Sequence, residues 1–187
     1  CGVNGANWKF ESDNGGRLQF SSSLRARSGS KAATLDEGPN GNSPANDLIL
    51  TLNLSNYTGN KTIFLSFSHI EGSSEFSDPN DKVWVRGSKN DAWIQIYDLA
   101  ANGNAQSFTK AGPINIYDSL TSNGQSLGKQ VQVRFGQEDN ASLTTAGRAF
   151  DDIKVFSCKK PSQLALTGTR ADSLGVEWNT NTKASND

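Results

Sequence analysis

The sequence holds one histidine, His69, among 187 residues, and that shortage decides much of the chemistry. Most zinc sites and most base-assisted serine or cysteine nucleophiles need an imidazole as ligand or base. His69 is read as a polar residue at a strand end. There is no Gly-x-Ser-x-Gly elbow, phosphate-binding glycine loop or Cys-x-x-Cys pair. Nothing in the spacing of the glutamates selects two of them as an acid–base pair of the glycosidase kind. The chain reads as non-enzymatic, and two constellations remain.

The first is Gly147-Arg148-Ala149-Phe150-Asp151-Asp152-Ile153-Lys154-Val155. Strict alternation places Asp151 on the side of Ile153 and Val155, and Asp152 with Lys154 on the other. A carboxylate on an apolar face needs a partner, because an unpaired buried charge costs roughly several kcal/mol. Calcium is one candidate, since it gathers oxygens from carboxylates, backbone carbonyls and water. Backbone amides at a strand end, or a place at the sheet rim, are the others. The second constellation is Trp84, Arg86, Trp93, Gln95, Tyr97, Tyr117 and Arg134, all predicted to point away from the aliphatic sides of their strands. Aromatic faces suit the apolar surface of a sugar ring, and Arg and Gln suit its hydroxyls. Cross-strand aromatic and cation–π pairing on an outer sheet face is the competing explanation.

The elements that must position these residues are strands. Apolar residues recur at period two, as in Leu48, Leu50, Leu52 and Leu54, or Ile63, Leu65 and Phe67, and no stretch of helical length shows a period of 3.6. Val83 and Val85 oppose Lys82, Trp84 and Arg86. Ile94 and Ile96 oppose Trp93, Gln95 and Tyr97, while Val131, Val133 and Phe135 oppose Gln130, Gln132 and Arg134. Further strands are predicted at 7–11, 17–21, 31–36, 113–118 and 148–157, with a turn at Tyr57-Thr58-Gly59-Asn60. The acidic segments Asp13-Asn14-Gly15-Gly16 and Asp78-Pro79-Asn80-Asp81 have turn chemistry that needs no ligand. About ten short strands in such a length describe an all-β, two-sheet antiparallel sandwich of the jelly-roll kind.

Composition narrows the partners. Eighteen basic and nineteen acidic residues give a net charge of −1, so no overall field draws the chain to nucleic acid or to an anionic membrane. No apolar run approaches the length of a membrane span. The chain opens on Cys1 and contains no methionine, which reads as a fragment covalently joined to further domains. Cys1 and Cys158 lie at the two ends of a domain assigned to 1–158, where a sandwich often brings terminal strands together. A disulfide between them and a pair of unlinked thiols both remain open. Sequons at Asn53, Asn56, Asn60 and Asn140 arise readily by chance in a chain rich in Asn, Ser and Thr.

After a linker at 159–163, the pattern Pro161, Leu164, Leu166, Leu174, Val176 and Trp178 resembles the first two strands of a fibronectin type III domain, which the segment 164–187 is too short to complete. The larger part also resembles a family. Trp8-Lys9-Phe10-Glu11, Ala33-Thr34-Leu35-Asp36, the leucine-rich strand 48–54, the strand 62–68 and Phe150-Asp151-Asp152-Ile153-Lys154-Val155 look like the MAM-like or cleaved-adhesin jelly rolls of secreted bacterial proteins. Val83–Ser88 followed by Ala92–Leu99 is similar to versions in bacterial surface proteins. The resemblance implies a structural calcium held by Glu11 and Asp151, with Asp13 and Asp36 adding oxygens. It also implies a secreted or cell-surface location, and a module that adheres or recognises a glycan or a cell-surface protein. A parent enzyme such as a protease or polysaccharide hydrolase, with this chain as its accessory domain, is the rival expectation. A passive spacer is the third.

Overall fold

The computed structural model describes residues 7–21, 26–38, 44–59, 61–72, 78, 80–103, 107–138, 147–157, 164–170 and 173–178. Cys1, Cys158 and the linker at 159–163 lie outside the described residues.

Period-two segments become strands in nearly every place where the sequence predicts them. In chain order they are β1 (Trp8–Ser12), β2 (Gly16–Ser21), β3 (Ala32–Glu37), β4 (Ala45–Leu52), β5 (Ile63–Glu71), β6 (Lys82–Arg86), β7 (Ile94–Asp98), β8 (Thr109–Asn115), β9 (Val131–Glu138) and β10 (Arg148–Ser157). They form two five-stranded antiparallel sheets, β1-β4-β9-β6-β7 and β2-β3-β10-β5-β8. Each strand gives one face to a shared interior. Leu48 and Leu50, Val131, Val133 and Phe135, Val83 and Val85 come from the first sheet, and Leu35, Leu65, Phe67 and Phe150 from the second. The chain is therefore an all-β sandwich, as its patterning predicts. Two further strands, β11 (Leu164–Arg170) and β12 (Ser173–Trp178), pair with each other as an antiparallel hairpin.

One expected strand divides. The segment 113–118 ends β8 and then enters a short helix, α1 (Ile116–Thr121). The Asn115 side chain caps the helix by accepting from the Asp118 N–H, and Ile116 and Leu120, four apart, are both buried. Six residues are too few to show a helical period. Tyr117, on α1, packs against the core instead of joining an outer sheet face.

At one end the interior turns polar. Arg148 is wholly buried and its guanidinium donates to Asp81, also wholly buried, at 2.5 Å, with Glu71 3.9 Å away. Asp81 does more than balance this charge. Its carboxylate accepts from the Glu138 N–H at 2.8 Å, and its carbonyl accepts from the Leu99 N–H at 2.9 Å. Removing Asp81 would leave the buried arginine with only the longer Glu71 contact, and breaking a buried pair in this way costs roughly 3–5 kcal/mol. Asp81→Ala is therefore expected to lower the unfolding free energy by about that amount, measured by urea titration, and a loss below about 1 kcal/mol would show the pair to be dispensable.

His69 lies in the same interior, wholly buried, with Nε2 3.4 Å from the Tyr97 hydroxyl. Burial, and then the Arg148 charge, lowers its pKa to about 4 from an ordinary 6.5. Below pH 6.5 the unfolded chain takes up a proton that folded His69 refuses until about pH 4. Stability from this residue is thus lost as pH falls through that window, by about 3 kcal/mol at most. His69→Gln should flatten the acid side of the stability profile relative to the parent, and parallel profiles would remove the histidine from the account.

Candidate functional site

The outer face of the first sheet is built by register. Rows run across the strands, and one row reads Lys9, Ile49, Arg134, Trp84 and Gln95. The next aligns Thr51, Gln132 and Arg86. Alternation on β4, β6 and β9 fixes which side chains point out, because their neighbours are committed to the core. Trp93 stands just before β7, two residues from the exposed Gln95.

Three cation–π contacts link these residues. The Arg134 guanidinium carbon lies 3.9 Å from the Trp84 ring centroid and 4.7 Å from that of Trp93. The Arg86 guanidinium carbon lies 4.1 Å from the Trp93 centroid. Arg86 donates through Nε to Gln132 at 2.8 Å, and Gln132 donates onward to the Thr51 hydroxyl at 3.1 Å. Arg134 makes a long 3.4 Å contact through Nη1 with Asp47. Burial pushes the Asp47 carboxyl above its ordinary pKa, Arg134 pulls it back, and the charges of Glu11 and Asp13 push it up again. Ile49 points outward and is nevertheless only 5% exposed, so the long side chains around it lie across the sheet.

Gly136 makes room for this arrangement. A Cβ atom there would stand 2.5 Å from Trp84 Cζ3, so glycine is what allows the indole to approach the strand. A groove of about 230 Å³ opens beside Trp84 and Arg134, walled by Asp47, Asn80, Gly136 and Glu138. Asn80 and Glu138 are hydrogen-bonded to each other across it. A larger cavity of about 490 Å³ opens between the sheets among Trp8, Phe20, Leu48 and Phe150. It continues the apolar core, and its carboxylates, Asp151 and Asp152, are already engaged.

Of the residues that the sequence assigned to a sugar platform, Trp84, Arg86, Trp93, Gln95 and Arg134 share this face. Tyr97 does not. The β6–β7 register slips between Val83 and Trp84, with Ile96 as the extra residue, so the alternation that starts at Ile94 reverses its phase after Gln95. Tyr97 consequently packs edge-on against Phe67 and His69 inside the sandwich. Asp47, Gln132, Gly136 and the Asn80–Glu138 pair were missed. Parity along β4 could have found Asp47, and a glycine inside an alternating strand could have flagged a close approach.

The carboxylates implied for calcium stand apart. Glu11 pairs with Lys9 on the outer face of β1, and Asp13 accepts from the Ala45 N–H at 2.7 Å. Asp36 is engaged by Arg17 at 2.7 and 3.0 Å and by Gln19. Asp151 departs from the expected alternation because a bulge separates it from Lys154, with Asp152 at φ +50°. Asp152 and Ile153 stand opposite the single residue Phe67, so one extra residue is absorbed there; Ile153 and Val155 return to the core while Asp151 turns to the 27–28 loop. Its carboxylate accepts from the Arg27, Ser28 and Asp152 N–H groups at 2.8, 3.0 and 2.7 Å. Asp152 accepts from the Ser28 hydroxyl and the Arg27 guanidinium, which hold its pKa below the usual carboxylate range. Among the described residues no three acidic, His or Cys side chains converge.

No family model and no curated protein matches the chain. Among solved structures it is similar to the family 30 carbohydrate-binding module of a Clostridium thermocellum cellulosomal cellulase, at 15% identity over 75% of this chain and 82% of that one, with a TM-score of 0.48. A xylan-binding domain of family 22 aligns at 12% identity over 83% and 88% of the two chains, with a TM-score of 0.47. The enzymatically active domain of bacteriophage CBA120 tailspike protein 4 aligns at 10% identity over 83% of this chain and 20% of that one, with a TM-score of 0.43. Likenesses at this level concern the fold alone.

Asp151→Ala would strand three N–H donors and free the 27–28 loop. A loss of roughly 1–3 kcal/mol is expected, with no change in the parent's melting temperature on adding a calcium chelator. A chelator-induced drop that Asp151→Ala abolishes would instead place an ion at this carboxylate.

Proposed function

We propose that this chain is a non-catalytic carbohydrate-binding module, with the outer face of the β1-β4-β9-β6-β7 sheet as its platform. The observation that carries the reading is the association of Trp84, Arg134, Trp93 and Arg86 on one sheet face. Sugar recognition needs flat apolar surface for the ring and directional donors and acceptors for the hydroxyls. Here the indoles supply the first, and Arg86, Arg134, Gln95 and Gln132 supply the second. The groove at Asp47, Asn80 and Glu138 extends the face with acceptors. His69, the lone imidazole, is sealed in the core and offers no base to a substrate.

Such a module serves a larger secreted or surface-displayed protein, as the resemblance to adhesin jelly rolls implies. It acts there through adhesion or by holding a neighbouring enzyme on its polysaccharide. A second reading has one observation in its favour. Both indoles already carry guanidinium groups, which is enough to stabilise an outer face in a passive spacer.

Affinity electrophoresis through gels containing plant and bacterial polysaccharides separates the two. A binder is retarded by at least one of them, and Trp93→Ala abolishes the retardation with a stability cost of about 1 kcal/mol, since Trp93 contributes cation–π contacts but no core packing. Unretarded migration in every gel would leave the spacer.

A further inference from the structure

Resting on the carbohydrate reading, the chemistry of the same face narrows the sugar. In a platform for neutral glycans the indole faces are open to the ring. Here Trp84 and Trp93 are both approached by arginine, at 3.9, 4.1 and 4.7 Å. A guanidinium stacked on an aromatic ring uses its flat face for the contact and keeps its N–H bonds in its own plane, directed outward past the ring edge.

Those donors are largely uncommitted. Arg86 spends Nε on the neutral Gln132 and has no other hydrogen-bond partner among the described residues. Among the described residues Arg134 makes only the 3.4 Å contact with Asp47, and its buried Nε has no partner there. Both cations touch the same indole, so each feels the other's charge. Burial and then Arg134 lower the pKa of Arg86, while Glu11 and Asp91 raise it. Two like charges held over one ring are a cost in the unliganded protein that an anion placed between them would relieve.

The remaining charges bearing on the face do not already supply that anion. Glu11 is engaged by Lys9, Glu138 by Asn80, and Asp47 reaches Arg134 only at 3.4 Å. Lys82 adds positive charge, and Asp91, in the turn after β6, adds negative charge at the platform's end. We propose that the ligand is an anionic polysaccharide whose carboxylate or sulfate group is received by Arg86 and Arg134, with the tryptophan edges and Gln95 meeting the sugar ring. Planar, two-pronged recognition of an oxyanion is what a guanidinium fork does best.

The test uses the intact chain and isothermal titration with four probes: polygalacturonate for a carboxylate sugar, dextran sulfate for a sulfated one, xylo-oligosaccharide for a neutral one, and polyglutamate for charge without sugar. The expected result is binding to polygalacturonate or dextran sulfate at least tenfold tighter than to the neutral and peptide probes, weakening as salt is raised. Which of the two polyanions binds tells carboxylate from sulfate. Arg86→Gln should weaken that binding by roughly tenfold or more while lowering the melting temperature by no more than about a few degrees. Asp47→Asn should strengthen it by about two- to threefold, a gain that damage to the fold would not produce. Preference for the neutral probe, unmoved by Arg86→Gln, would overturn the acidic ligand and leave the carbohydrate reading standing. Equal affinity for polyglutamate, or polyanion binding that survives both Arg86→Gln and Trp93→Ala, would overturn it as well. No binding to any sugar, acidic or neutral, would remove the carbohydrate reading with it.

Discussion

The structure depends on the phase of alternation along each strand. Two sheets can share one interior only if every strand turns its apolar set inward, and a slip of one residue exchanges the inside and the outside of everything beyond it. Val131, Val133 and Phe135 hold that phase along β9, which is why Gln132 and Arg134 reach the platform. Two of the register shifts decide where side chains that matter here point. Between Val83 and Trp84 the register shift sends Tyr97 inward to meet His69 and Phe67. Between Asp151 and Lys154 the bulge keeps Ile153 and Val155 in the core while two carboxylates turn to a loop and fasten it.

The polar end of the interior ties the core to the groove. Asp81 neutralises Arg148 from β10, accepts from the backbone of Glu138 on β9 and holds the segment after β7 through Leu99. Its sequence neighbour Asn80 and its hydrogen-bond partner Glu138 are the residues that wall the groove beside Trp84. A buried ion pair of this kind adds little net stability relative to a well-packed apolar substitute, because desolvation offsets most of the attraction. Its effect here is positional. The loop carrying Asn80 and the end of β9 carrying Glu138 cannot drift apart while both are bonded to one carboxylate.

Much of this was legible in the sequence, for a physical reason. Period-two patterning is a direct record of which face is buried, so the strands and the outward set Trp84, Arg86, Gln95 and Arg134 could be read without coordinates. What escaped depends on events that leave no periodic trace. A bulge is a backbone choice that Ile94–Asp98 does not advertise, and it moved Tyr97 from platform to core. Asp81 looked like part of a turn because Asp78-Pro79-Asn80-Asp81 has turn residues, yet it is wholly buried by pairing with an arginine 67 residues away. Alternation marks Asp151 as a carboxylate in need of partners. In the structure its carboxylate accepts from amide groups brought in from Arg27 and Ser28, contacts that single-chain patterning cannot specify.

The association of arginine with tryptophan bears on how the face works as well as on how it is held. Each exposed cation–π contact is worth only about 0.5–1 kcal/mol, so the face adds little to global stability. It does order two of the longest and most mobile side chains before any ligand arrives. Immobilising such a side chain on binding costs about 0.5–1.5 kcal/mol, and a protein that has already done so spares its ligand that cost. Ile49, 5% exposed on a face that should be wet, records the same ordering from beneath. The guanidinium groups are thus held against the indoles with most of their donors uncommitted. A face built only for stability would sooner pair those donors with the carboxylates of Glu11 and Asp91 than hold two cations against one ring.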